Sequence, residues 1–148
     1  MPKPTPIVRL PTLKSSAQFR EAVAALSLNL PCDDQILTDS DSPLAQPLEG
    51  IEINGKRIGN RWVVQPMEGW DGTITGEPTD DTRRRWQRFG ESGAKLVFGG
   101  EAMAVCPEGR ANPHQLVINE ATQASLAELR KGLLDAHHTR YGSAADVI

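Results

Sequence analysis

Leu96-Val97-Phe98 is an apolar run without polar alternation, set between two segments of helical periodicity. Such a run suits a strand covered on both faces, as in a parallel sheet. It is the middle of a repeating order. Upstream, Arg61-Trp62-Val63-Val64-Gln65 reads as a strand halted by Pro66. A loop rich in Gly, Asp and Thr follows. Thr79, Asp80 or Asp81 then caps a helix from Thr82 to about Glu91, with Trp86 and Phe89 as its apolar contacts and Gly90 and Gly93 as stop positions. Downstream, a second loop runs to Ile118. Asn119 caps a longer helix, Glu120 to about His138, in which Leu126, Leu129, Leu133 and Leu134 fall at helical spacing. Ala144-Ala145-Asp146-Val147-Ile148 begins a third strand. Ahead of all this, Ile51, Ile53 and Ile58 flank Asn54-Gly55, the pair that supplies the two positive φ angles of a type I′ hairpin turn.

The order is hairpin, strand, helix, strand, helix, strand. Strands alternating with helices point to βαβ units and a parallel sheet, an α/β fold. The sequence stops inside the third strand, so the expectation is the front part of a longer polypeptide, with a small α/β domain ending there as the alternative. A whole (β/α)8 barrel needs about 250 residues, and this chain has 148.

Residues 1–49 read as an N-terminal extension. Pro2, Pro4, Pro6 and Pro11 make an extended arm. Ser15 with Gln18 fits a capping box, and Phe19, Ala22, Val23 and Leu26 form one short amphipathic face. Residues 31–50 are a polar, proline-punctuated linker, with a domain boundary near Gly50.

Lys plus Arg number 16 and Asp plus Glu 19, for a net charge of −3. That balance argues against a general nucleic-acid binder, which needs a basic footprint. No apolar run approaches the roughly 20 residues that span a bilayer, and no secretory apolar region precedes a cleavage site. Cys32 and Cys106 form neither a CxxC pair nor a zinc spacing. The expected setting is reduced and cytoplasmic, with no metal.

In parallel sheets, ligands sit beyond the carboxyl ends of the strands. Here those ends are Gln65-Pro66-Met67-Glu68-Gly69-Trp70-Asp71-Gly72 and Gly99-Gly100-Glu101-Ala102-Met103-Ala104. The first joins an amide, a carboxylate and an indole. The second sets small residues beside a carboxylate, so that a flat ligand can approach the backbone. Each feature has a plainer reading. Trp70 would be a loop anchor, Glu101 a buried carboxylate holding a loop or an Arg, and Gly99-Gly100 a site of tight packing. His137 and His138 read as exposed residues complementing the helix dipole, and His114 as a loop residue without an evident partner.

The stretch Ile58-Gly59-Asn60-Arg61-Trp62-Val63-Val64-Gln65-Pro66-Met67 resembles the first barrel strand of the old yellow enzyme family of flavin-dependent oxidoreductases. Residues 93–105, Gly-Ala-Lys-Leu-Val-Phe-Gly-Gly-Glu-Ala-Met-Ala-Val, continuing to Pro107-Glu108-Gly109-Arg110, resemble that family's second strand and following loop. A weaker match is Tyr141-Gly142-Ser143 before the third strand. The resemblance covers residues 50–148, about two and a half βα units of a (β/α)8 TIM barrel. It implies FMN held at the strand carboxyl ends, reduced by NADH or NADPH and passing hydride to an activated alkene, a small-molecule substrate. Gln65, Pro66 and Met67 match positions lying along the flavin, Glu68 the position beside its reactive edge, and Ala102 a small residue whose backbone meets the ring. Trp70 matches an aromatic position near the substrate. Arg110 matches a loop motif, with no role attached.

Glu68 departs from the family's usual Thr or Cys. An ionised carboxylate there would lower the flavin potential, and a neutral one that donates a hydrogen bond would raise it. The family's substrate-anchoring His or His/Asn pair, its proton-donating Tyr and its phosphate loops come from later strands, so no catalytic residue is assigned within these 148 residues, and the isolated segment is expected to be inactive. The N-terminal arm would suit packing on a neighbouring subunit of a homo-oligomer. Pro66-Met67-Glu68-Gly69 also resembles the tRNA-dihydrouridine-synthase type of flavin barrel, against which stand the long loop after it and the low positive charge. The alternative from another class is a non-catalytic segment serving as an interaction module.

Overall fold

The computed structural model describes residues 8–148. The expected extension of Pro2, Pro4 and Pro6 lies outside them. The chain divides into two compact units between Thr38 and Asp39. The first carries helix α1, Ser16–Ala25. Ser15 accepts the Gln18 N–H at 3.2 Å, while Gln18 reaches one residue further back than a capping box requires, accepting the Lys14 N–H at 2.7 Å. Of the expected apolar face Val23 is buried, Phe19 is half-buried and Leu26 is exposed. Arg20 joins this helix to the following segment, donating to Asp34 and to the Cys32 carbonyl, each at 2.8 Å.

The second unit, residues 39–148, is a mixed α/β structure. Strands β1 (Glu52–Ile53) and β2 (Lys56–Arg57) pair antiparallel around Asn54-Gly55, whose φ angles are +52° and +71°. Both lie in the left-handed region that a type I′ turn demands. Strand β3 (Val63–Val64) pairs in parallel with β4 (Leu96–Val97), Val63 opposite Leu96 and Val64 opposite Val97. Helix α2, Asp80–Glu91, crosses between them. It starts two residues earlier than the sequence suggested, because Thr79 caps it and Thr82 completes a capping box from inside. Helix α3, Gln123–Tyr141, starts later than expected. Asn119 Oδ1 accepts from the N–H groups of Ala121 and Thr122, so it caps the turn ahead of the helix.

Residues 144–148 are only partly the expected third strand. A turn occupies 145–146, and the pairing rests on Ile148. Its N–H donates to the Lys95 carbonyl at 2.9 Å, and its carbonyl accepts from Val97 N–H at 2.7 Å. That is the bonding of a parallel ladder, on the edge of β4 away from β3. Helices α2 and α3 pack on each other over one side of the sheet. Trp86, Leu116, Leu126, Leu129, Leu133 and Val147 form the buried core, with Val97 packed against it.

The expected burial of both faces of Leu96-Val97-Phe98 does not hold. Leu96 and Val97 are half-buried and Phe98 is 63% exposed. The cause is local and tertiary together. Gly99 N–H turns back onto the Val97 carbonyl and ends the ladder, and the helices cover only the side to which Val97 points. No helix among the described residues is long and apolar enough to cross a membrane.

Candidate functional site

The loops leaving β3 and β4 come together at the strand carboxyl ends. Phe98 N–H donates to the Val64 carbonyl at 2.9 Å, and Ala102 N–H to the Met67 carbonyl at 3.2 Å. An open cleft of about 480 Å³ lies there, lined by Gln65, Met67, Glu68, Trp70, Arg85 and Phe89 among others. Gln65, Met67 and Glu68 are exposed and Pro66 is half-buried. Trp70 is 71% exposed, so its indole anchors nothing and stands at the cleft. Glu68 has no hydrogen-bond or ion-pair partner among the described residues. Ala102 is not among the residues lining the cleft. Its N–H is given to Met67, and its carbonyl accepts from Gln115 Nε2 at 2.9 Å.

Behind the cleft stands an ionic network. Arg85 donates from Nε and Nη2 to the two oxygens of Asp71, at 2.9 and 2.8 Å, and from Nη2 to Glu101 Oε2 at 2.5 Å. Trp86 Nε1 donates to the same oxygen at 3.2 Å. Glu101 is buried, and its other oxygen, Oε1, has no partner among the described residues. The Arg85 hydrogen bonds hold the Asp71 carboxyl below the usual carboxylate range, against the opposing effect of burial. Asp71, chiefly, and Glu101 raise the basicity of Arg85 in turn. Gly69 closes over this network: a Cβ there would fall 2.6 Å from Arg85 Nη2 and 2.8 Å from Glu101 Oε1. Glu101 is thus the buried carboxylate holding an Arg, the plainer of the two readings. Gly100 also has a packing reason, since a Cβ on it would meet the Trp86 ring at 2.2 Å.

Two residues without an expected role staple the loops. Arg110 donates from Nη1 to the carbonyls of Ile74 and Pro113, each at 2.8 Å, and from Nε to that of Pro107 at 3.2 Å. His114 Nδ1 lies 2.8 Å from the Gly72 carbonyl, which can only accept, so Nδ1 carries the proton. That corrects the expectation of an unpartnered His114. His137 overturns its expectation more sharply: it is fully buried between α2 and α3, while His138 is exposed. Position 137 lies four residues beyond Leu133, on the same buried helix face.

Sequence reasoning missed Asp71 and Arg85, which share no motif and stand fourteen residues apart. The available signal was local: of Arg83, Arg84 and Arg85, the last precedes the core residue Trp86. A second cavity of about 370 Å³ lies on the helix side beside Ile148, with an apolar lining that includes Trp86, Met103, Leu126 and Leu133. It offers no carboxylate, imidazole or thiol for chemistry. No group of three metal-ligating side chains occurs among the described residues. No family model matches the chain, and no curated protein does.

Proposed function

We propose that residues 50–148 are a sector of a (β/α)8 barrel of the old yellow enzyme type, an FMN-dependent oxidoreductase acting on an activated alkene. The observation that carries this reading is the winding. β3, β4 and Ile148 are sequential parallel neighbours, and the two intervening helices pack on one another over a single side of the sheet. A barrel keeps all its helices outside, and two successive crossovers on one face also occur in half of a doubly wound sheet, so the winding supports the barrel together with the order of the motifs at 58–67 and 93–105. The exposed face bearing Val63 and Phe98 would then be the barrel interior.

The cleft residues fit a flavin in part. When bound, FMN would supply hydride transfer from NADH or NADPH to the substrate. The Gln65 amide can both donate and accept at a ring edge. Met67 and Pro66 would lie along the ring, and Trp70 would bound the substrate side. Ala102 fits less directly, since both its backbone polar groups are engaged within the protein. A cytoplasmic setting belongs to the same reading, and both cysteines are free.

The test is to express the protein from its whole reading frame and identify any bound flavin. FMN that is bleached by NADH or NADPH under anaerobic conditions is the expected result. A protein that takes up no FMN on reconstitution overturns the proposal. The exposed Trp62, Val63 and Phe98 would then favour a non-catalytic interaction segment.

A further inference from the structure

At the opposite end of the sheet from the cleft, a second cluster joins four segments. Lys95, just before β4, donates from Nζ to Asp146 Oδ1 at 2.8 Å and lies 2.8 Å from His137 Nε2. His137 Nδ1 lies 2.9 Å from the Gly90 carbonyl at the end of α2. Asp146 comes close because Gly59 has no side chain: a Cβ there would fall 2.2 Å from Asp146 Oδ2. Within α3, the Tyr141 ring packs against His137 at 4.7 Å, tilted by 39°, and its hydroxyl donates to the Glu91 carbonyl at 2.9 Å.

These contacts fix the protonation of His137. An ammonium group only donates and a carbonyl only accepts. Nε2 must therefore offer its lone pair to Lys95, while Nδ1 carries the proton toward Gly90. The ring is neutral. Burial, foremost, and the Lys95 charge lower its pKa below the usual 6.5; the Gly90 hydrogen bond and Asp146 oppose them. A second proton would remove the acceptor and set two cations against each other across that short contact. Lys95 is also the residue whose carbonyl receives the Ile148 N–H, so the consequence reaches the sheet edge.

We propose that His137, Lys95 and Asp146 form an acid-released latch, which fastens residues 144–148 to β4 while the imidazole is neutral and frees them when it is protonated. Apart from Lys95 and Asp146, the surrounding elements present carbonyls and a phenol to the ring, and the side chains of Glu91 and His138 are exposed. No other carboxylate is placed to accept the second proton's charge among the described residues.

Histidine ring ¹⁵N shifts and amide exchange on the unmodified chain test this together. At about pH 7.5, a bare Nε2 and a protonated Nδ1 are expected, with a titration midpoint below the usual imidazole value. As His137 titrates, the protection of the Ile148 and Val97 amides should fall roughly tenfold, while Phe98, bonded to β3, keeps its protection. In His137→Gln the protection of Ile148 should no longer depend on pH over that range. A protonated Nε2 at neutral pH, or Ile148 protection unchanged through the His137 titration, overturns the latch, whether or not the variant folds.

Discussion

Arg85 grips Asp71 side-on, Nε to Oδ2 at 2.9 Å and Nη2 to Oδ1 at 2.8 Å, and the same Nη2 reaches Glu101. One guanidinium thereby ties the loop after β3, helix α2 and the loop after β4. Arg85→Met would leave the buried Glu101 carboxylate without a cation. Removing one partner of a buried ion pair costs about 3–5 kcal/mol, and urea unfolding of the variant should show a loss of that order.

The same contact sets an acid limit. The folded-state pKa of Asp71 lies below its ordinary value of 3.8, chiefly through the Arg85 hydrogen bonds. A depressed carboxyl contributes stability that is present above the unfolded value and lost as pH falls through the folded one. Melting temperature should therefore drop below about pH 4, and Asp71→Asn should be less stable at neutral pH with a flatter acid limb.

Two helical glycines should respond with opposite signs. A Cβ on Gly90 would stand 2.1 Å from the Leu133 carbonyl oxygen, where α2 meets α3. Gly90→Ala should therefore cost about 1–3 kcal/mol through forced separation. Gly132, inside α3, has nothing within 4 Å of the same position. Gly132→Ala should stabilise by up to about 1 kcal/mol from helix propensity. Thermal melts of the two variants decide both.

Glu68 stands exposed at the cleft without a partner, so Glu68→Gln and Glu68→Thr should leave the melting temperature unchanged. On the proposed flavin reading, loss of the carboxylate removes negative charge beside the ring. The midpoint potential of the flavin-loaded protein should rise. An unchanged potential would mean that Glu68 does not tune it.

The repeating order of elements was legible because periodicity survives without context. Asn54-Gly55 marks its own turn, and Leu126, Leu129 and Leu133 mark the buried stripe of α3. The residues that depend on distant partners were not legible. The spacing from Leu133 puts His137 on the buried stripe, but its partners Gly90 and Lys95 arrive from elsewhere in the chain, and nothing near position 137 records them. Arg85 and Asp71 meet only once α2 folds over the preceding loop. Phe98 shows the converse: its local run reads as doubly covered, yet covering elements occur on one side only among the described residues. At the cleft, the sequence marked Gln65, Met67, Glu68 and Trp70, which the fold brings together, while Ala102 lies beside them with its backbone already bonded.

Trp86 lies under the second strand-end loop, with Gly100 against its ring and its N–H on Glu101. It is 5% exposed, while Trp62 and Trp70 are 54% and 71% exposed. Those three indoles divide into one dry emitter and two wet ones. With Trp62 and Trp70 replaced by Phe, the remaining blue-shifted fluorescence would report on a single loop, and any molecule that moves Gly100 or Glu101 would announce itself as a change in colour.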